Sequence, residues 1–134
     1  MAENLFKIKI VSPERIFFED RVSMVEFNTS EGEVGIFKNH IPMTVIVQPG
    51  LLTLHMAEEK KMAALHSGFV EILPDAITIL AEIVEWPEEI DISRAEAARE
   101  RAEERLQSKH PETDLARAAT SLHRAAARIH AVRK

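Results

Sequence analysis

The residue alphabet of this chain changes at Pro87. All four glycines (Gly32, Gly35, Gly50, Gly68) and all seven aromatic residues precede it, whereas eleven alanines follow it. Glycine and aromatic residues suit turns and pleated sheets, and alanine suits helices, so the break divides the chain into two parts with different periodicities. The 134 residues are enough for one ordinary domain or a small domain with an appendage. Two domains are expected, residues 1–86 and residues 87–134.

In the first part, residues 5–11 alternate apolar with polar at period two, and residues 22–27 form a similar short run. Residues 43–47, 51–56, 62–66, 69–73 and 77–81 follow, divided by Gly50, Gly68 and Pro74-Asp75. Seven or more short strands without an intervening helical period predict an antiparallel sandwich or barrel. The second part reads helix, turn, helix. Asp91 is placed to cap a first helix whose apolar positions are Ala95, Ala98, Ala102 and Leu106, and Ser108-Lys109-His110-Pro111 interrupts the pattern. Thr113 or Asp114 then caps a second helix with a stripe of Leu115, Ala119, Leu122, Ala126, Ile129 and Val132. Glu112 and Asp114 lie at the positive end of its dipole, and Arg133 and Lys134 at the negative end. So many alanines give strong helix propensity but little buried area, which predicts a helical hairpin weakly held to its surroundings. A weakly docked element is suited to movement; a statically packed hairpin is the alternative.

Hydrophobic residues make up 46% of the chain and charged residues 29%, which excludes disorder and a coiled-coil rod for the whole. The absence of cysteine excludes a disulfide framework, cysteine zinc sites and thiol catalysis. The first residues lack a basic segment followed by an apolar one, so secretion is not expected, and the apolar runs fall well short of a bilayer span. The net charge of -5 is unevenly distributed: residues 1–89 carry 15 acidic and 7 basic side chains, and residues 90–134 carry 7 acidic and 10 basic. Beyond Asp114 there is no acid, and Arg117, Arg124, Arg128, Arg133 and Lys134 predict affinity for an anionic surface or ligand.

Glu31-Gly-Glu-Val-Gly-Ile-Phe-Lys-Asn-His-Ile-Pro42 is the most unusual stretch. Gly32, Gly35 and Asn39 suit positive φ, predicting a shaped loop with Glu33 and His40 near its surface. A catalytic reading makes His40 a base oriented by Glu33. With no nucleophile, second base or metal cluster beside them, an interface loop or a hydrogen-bonded loop histidine fits better. His123 and His130 stand seven apart, whereas helical metal pairs are usually three or four apart, so no metal site is expected. Phosphate-loop, dinucleotide-fold and nucleophile-elbow signatures are absent. Arg94 and Arg101 share a face of the first helix, and Arg124 and Arg128 are four apart on the second. If the hairpin closes, four guanidiniums can converge, and their forked donors suit phosphate oxygens. The alternative is a solvated basic face balanced by Glu96, Glu100, Glu103 and Glu104.

Together these residues resemble the epsilon subunit of bacterial F-type ATP synthases over essentially the whole chain. Ser30-Glu-Gly-Glu-Val-Gly-Ile-Phe-Lys-Asn-His-Ile-Pro42 is similar to that family's S-G-E-L-G-I-L-P-G-H-x-P segment. Residues 67–81 (Ser67-Gly-Phe-Val-Glu-Ile-Leu-Pro-Asp-Ala-Ile-Thr-Ile-Leu-Ala81) are similar to its G-G-F-L-E-V-x-P-D-x-V-T-V-L-A segment. Lys38-Asn39 stands where Pro-Gly is usual, and Ser67 where Gly is usual.

The resemblance implies an α+β, mainly β fold: an N-terminal ten-stranded antiparallel β-sandwich that binds the rotor, followed by a regulatory two-helix hairpin. It implies a non-catalytic subunit that joins the gamma subunit to the ring of c subunits. Membrane association comes only through the complex, peripherally at the cytoplasmic face of the bacterial cell membrane. Glu33 and His40 match positions facing the c ring. The helices are expected either to fold against the sandwich or to extend along gamma towards alpha and beta and block ATP hydrolysis. Ile90-Asp91-Ile-Ser-Arg94-Ala95 matches the [IL]-D-x-x-R-A motif of members that bind ATP. By position Glu85, Asp91, Arg94, Arg101, Arg124 and Arg128 are the expected nucleotide contacts. ATP is then a regulatory ligand, open to modulation by Mg2+, and no cofactor or metal is required. Glu96 stands where such members carry a basic residue. Nucleic acid is not an expected partner, given a pI of 5.7 and no aromatics beside the arginines.

Overall fold

The structure, a computed structural model, describes residues 4–108, 110 and 113–133. Eight strands come first: β1 (Phe6–Val11), β2 (Ile16–Val22), β3 (Met24–Thr29), β4 (Gly32–Phe37), β5 (Met43–Val47), β6 (Gly50–His55), β7 (Lys60–Leu73) and β8 (Ala76–Glu85). A 3-10 turn (Pro87–Glu89) leads to helices α1 (Ile92–Ser108) and α2 (Leu115–Arg133). Of the expected interruption and dipole charges, Lys109, Pro111, Glu112 and Lys134 lie outside the described residues.

The strands run in the order β2-β1-β8-β7-β5-β3-β4, with β6 pairing both β3 and β7. Among the described residues every pairing is antiparallel except β1 with β8, which run parallel with Ile8 opposite Ile77 and Ile10 opposite Ile79. Strand β7 serves two neighbours. Its first half pairs with β6, from Lys60 opposite His55 to Leu65 opposite Gly50. Its second half pairs with β5, from Gly68 opposite Val47 to Ile72 opposite Met43. Between the halves the register against β8 shifts around Ser67, a bulge that turns the strand from one layer to the other. The described residues form eight continuous strands where the resemblance implied ten, because β7 and β8 each run unbroken past the bulge.

Gly68 explains why residues 62–66 and 69–73 read as two strands. It has a φ of +143°, and a Cβ there would lie 2.1 Å from the Leu80 carbonyl oxygen. The glycine marks a bulge within one strand. Two other expectations are corrected. The stretch expected to be a loop from Glu31 contains β4, and Gly35 lies inside it without positive φ, although Gly32 (+112°) and Asn39 (68°) do have it. At Gly35 the requirement is space: a Cβ would meet Met24 Sδ at 3.3 Å across the β3–β4 pair. Strand β2 also lies outside the predicted runs, because Glu19, Asp20 and Arg21 are all exposed and break the alternation.

Alternation in β1 and β8 delivers Phe6, Ile8, Ile10, Ile77 and Ile79 to a core completed by Val22, Val25, Phe27, Leu52, Leu54, Leu65, Val70 and Ile72. Each large apolar side chain buried there contributes roughly 1.5–3 kcal/mol. Every residue of this core precedes Pro87.

The helices pack with much smaller groups. Buried positions are Ala95 and Ala102 on α1, and Ala118, Ala125, Ala127, Ile129 and Ala131 on α2. The α1 stripe is where periodicity predicts it. The α2 stripe is displaced: Leu115 and Ala126 are exposed while Ala118, Ala125, Ala127 and Ala131 are buried. The cause is a second neighbour. Helix α2 packs against α1 and also against β6 and β7, so its buried arc is wider than one stripe. For the same reason Ala63, Ala64, Leu65 and His66 of β7 are buried in succession, as in a strand covered on both faces. Asp91 Oδ1 accepts from the Arg94 amide at 3.1 Å, and Asp114 Oδ1 from the Arg117 amide at 3.0 Å, so both helices start on an aspartate cap.

The junction between sheet and helices is fastened. Arg15 Nη2 donates to both carboxylate oxygens of Glu89 at 2.7 Å, and Glu89 Oε1 accepts from the Trp86 amide at 2.9 Å. The Trp86 ring stacks on Phe17 with centroids 4.2 Å apart. Among the described residues no helix is long and apolar enough to cross a membrane.

Candidate functional site

Strand β8 ends at Glu85, the chain turns through residues 86–90, and α1 starts at Ile92 with Asp91 as its cap. Helix α2 then brings Arg128 against the end of β8. The result is a cleft of about 350 Å³ lined by Glu85, Glu89, Asp91, Arg94, Arg101 and Arg128, floored by Ile90, Ala95 and Ala98. Five of the six residues expected from the family resemblance meet there. Arg124, one turn before Arg128, does not line the cleft; it is half-buried, and its Nε is enclosed with no hydrogen-bond partner among the described residues.

Glu85 is the centre of this arrangement. Its Oε1 accepts from Arg128 Nε at 2.7 Å and from His66 Nε2 at 2.9 Å. Burial pushes the Glu85 carboxyl up, but hydrogen bonds from His66 and Arg128, with the charge of Arg128, outweigh it and hold the group below the usual carboxylate range. The His66 ring is 0% exposed. Desolvation pulls it below the usual imidazole range despite the pull of Glu85, helped by the nearby charges of Arg128 and Arg124. The ring is therefore neutral near pH 7 and its proton sits on Nε2, facing Glu85. Its Nδ1 is buried with no partner among the described residues.

Arg94 and Arg101 are exposed on α1 and have no acidic partner in any described ion pair, while the Asp91 carboxylate is held by its own helix cap. The cleft thus offers guanidinium donors for anionic oxygens beside carboxylates that accept from amino or hydroxyl groups. A ligand carrying both kinds of group matches it chemically. Among the described residues no group of three or more metal-ligating side chains is present.

Glu33 and His40 are not brought together. Glu33 pairs with Asn28 beside the β3–β4 turn, whereas His40 follows the other end of β4, about 13 Å along the strand at roughly 3.3 Å per residue. His40 Nδ1 donates to the Ile41 carbonyl at 2.8 Å, so the ring is engaged by its own loop. His123 and His130 are exposed on α2, lining a separate cleft against the β3–β4 and β5–β6 turns.

Two residues at the site were not anticipated. Glu89 stands four after Glu85 across Pro87, a spacing that one turn brings to the same side. His66 sits in an otherwise apolar run, and a histidine there has to find a partner when it is buried. That requirement was the available signal.

Two family models match the chain: the ATP synthase delta/epsilon chain beta-sandwich domain over residues 5–87, and the ATP synthase delta/epsilon chain long alpha-helix domain over residues 88–133. The ATP synthase epsilon chain of Caldicellulosiruptor bescii is 42% identical over 129 residues, covering 96% of this chain and 93% of the relative. That of Syntrophomonas wolfei is 41% identical over 136 residues, covering 100% and 98%. A chain in the mitochondrial ATP synthase of Euglena gracilis shares the fold with a TM-score of 0.84 at 19% identity, over 98% of this chain and 82% of that one. With both parts matched in order and relatives aligned almost end to end, this chain belongs to the ATP synthase epsilon-chain family.

Proposed function

We propose that this chain is the epsilon subunit of an F-type proton-translocating ATP synthase, a rotor subunit of the central stalk peripheral to the cytoplasmic face of a bacterial membrane. In this reading its hairpin inhibits ATP hydrolysis when extended towards alpha and beta, and ATP bound at the base of the hairpin favours the folded posture. The observation that carries the regulatory part is the meeting of Glu85, Asp91, Arg94, Arg101 and Arg128 in one cleft formed by β8, α1 and α2. Such a cleft exists only while α2 is docked, so its ligand has differential affinity for the two postures, which is what a population shift requires.

Two exposed surfaces support the rotor part. Ile46, Phe69 and Leu80 lie opposite one another across β5, β7 and β8 and form an outward apolar row. A contiguous patch of that kind suits a lasting protein partner, which we assign to gamma. At one end of the sandwich the Asn39 amide donates to the Pro74 carbonyl at 2.6 Å, gathering exposed Phe37 (61%) and Ile41 (72%) beside His40. We assign this end to the c ring through His40, with Glu33 engaging it further along β4.

Calorimetric titration of the full chain with ATP, with and without Mg2+, tests the ligand. A saturable heat is expected, weakened at least several-fold by Arg94→Ala. A flat titration of the unmodified chain rejects nucleotide binding.

A further inference from the structure

The buried histidine of β7 belongs to none of the roles above. His66 lies under α2, and its one described hydrogen bond goes to the same Glu85 oxygen that receives Arg128. We infer that His66 is a positioning residue of the hairpin cleft: uncharged, it fixes Glu85 for Arg128, and on taking up a proton it releases α2, so that acidification undocks the hairpin. This rests on the reading that the hairpin has two postures.

The geometry supplies the reasons. Side chains from β7 and α2 converge on one oxygen carried by β8: His66 Nε2 lies 2.9 Å and Arg128 Nε 2.7 Å from Glu85 Oε1. In the docked state the Glu85 carboxylate is met by the Arg128 guanidinium, a second guanidinium, Arg124, acts on the same site, and the enclosed imidazole adds no charge. The charged groups acting on His66 are Glu85 from β8 and Arg128 and Arg124 from α2. A third positive charge at His66 would sit in a site closed to water, under the charges of both arginines, with an Nδ1–H that has no acceptor among the described residues. When α2 leaves, both arginines go with it, water reaches the ring, and Glu85 remains as the imidazolium's partner. The released state therefore binds the proton more tightly than the docked state.

Docking is fully supported at pH above the ordinary imidazole range, to which the ring returns on release, and weakens as pH falls through that range. One linked proton changes the docked-to-released ratio by at most about tenfold per pH unit. His66→Gln is the informative variant, since the amide nitrogen of glutamine can replace Nε2 as donor to Glu85 but cannot take up a proton.

The chain has no cysteine, so a labelled pair can be introduced cleanly, for example Glu58→Cys at the exposed β6–β7 turn and Ala126→Cys on the exposed side of α2. The label distance is followed from pH 8 to pH 5, with and without saturating ATP. In the unmodified background the ratio is expected to fall about fivefold between pH 6.5 and 5.5 without ATP, and His66→Gln to reduce that to under about twofold. An unchanged pH curve in His66→Gln overturns the inference, because His123, His130 and all carboxylates are common to both proteins. If His66→Gln does not fold, the His66 ring resonances of the unmodified chain decide. Titration well below the other histidines in the ATP-loaded state supports the inference, and titration alongside them overturns it. A label distance that responds to neither ATP nor pH instead sinks the two-posture reading itself, and a response to ATP with no difference in His66→Gln sinks only this one.

Discussion

Glu85 Oε1 and Arg128 Nε lie 2.7 Å apart, joining the last residue of β8 to the second helix of the hairpin, with both side chains about a quarter exposed. The buried positions of α2 are four alanines and Ile129, small groups that leave this bond a substantial share of what holds the hairpin down. Removing one partner of a half-buried, charge-assisted hydrogen bond costs about 1–3 kcal/mol. Arg128→Ala is therefore expected to shift the hairpin towards release by roughly tenfold or more. Arg128→Lys should fall between it and the unmodified chain, since an ammonium cannot reproduce the guanidinium geometry. Distance distributions between labels on the sandwich and α2 measure this, and an unchanged distribution in Arg128→Ala would show that the bond is incidental.

The two helix caps form a matched pair that separates folding from ligand binding. Asp91 and Asp114 each accept an amide hydrogen of their own helix, and replacement by alanine should cost about 1 kcal/mol of helix stability in either case. Only Asp91 lines the cleft. Asp91→Ala should weaken ATP binding beyond the effect of Asp114→Ala, as read by calorimetry on both variants. Equal losses would assign Asp91 to the cap alone.

Acid should loosen the sandwich at a second place. His55 Nε2 and Glu26 Oε1 are 2.5 Å apart across the β3–β6 pair. The hydrogen bond from His55 leads the causes holding the Glu26 carboxyl below its ordinary value of 4.5, against a smaller opposing effect of burial. A depressed carboxylate contributes stability that is complete above its unfolded value and is lost as pH falls through the lower folded one. Urea midpoints measured from pH 6 downward should show the unmodified chain losing stability below about pH 4.5. Glu26→Gln should lose less over the same interval; parallel curves would remove Glu26 from the acid response.

Much of this architecture is legible in the sequence because alternation is local. Strands β1, β5 and β6 coincide with their apolar runs to within a residue, Asp91 is found as a cap from chemistry alone, and Asp114 is one of the two candidates named with Thr113. What escapes is whatever a second neighbour decides. Strand β2 loses its alternation because Glu19 to Arg21 face solvent on both sides, and β7 looks broken because Gly68 serves a bulge. The α2 stripe is misplaced because the sheet, as well as α1, covers that helix. The cleft behaves likewise: spacing allows its arginines to converge without deciding it, the family resemblance assigns them together, and the role of His66 depends on a strand pairing that places it beside Glu85.

Gly68 and Gly32 test whether space or backbone freedom is the stricter demand. Both have positive φ, but a Cβ at Gly32 meets nothing within 4 Å, while one at Gly68 would lie 2.1 Å from the Leu80 carbonyl oxygen. Gly32→Ala should cost about 1 kcal/mol from conformation alone. Gly68→Ala should cost several times more, since the β7–β8 ladder has to move apart at the bulge. Thermal unfolding of the two variants gives the comparison, and similar losses would mean that the bulge is pliable.

The separation of the core from the helices makes the last expectation specific. Every residue of the sandwich core precedes Pro87, and the hairpin adds mainly alanine methyls and the Glu85–Arg128 bond. A chain ending after Pro87 should therefore keep its β-sheet, at some cost from losing Glu89 as the partner of Arg15. It also keeps the Ile46–Phe69–Leu80 row and the His40 end proposed to seat it on the rotor. Reconstituted in place of the full chain, it should still enter the ATP synthase complex, and the complex should hydrolyse ATP faster because no arm remains to extend. If incorporation is retained and hydrolysis stays flat, the hairpin is not inhibitory in this protein; if incorporation itself is lost, the rotor seat extends into the helices.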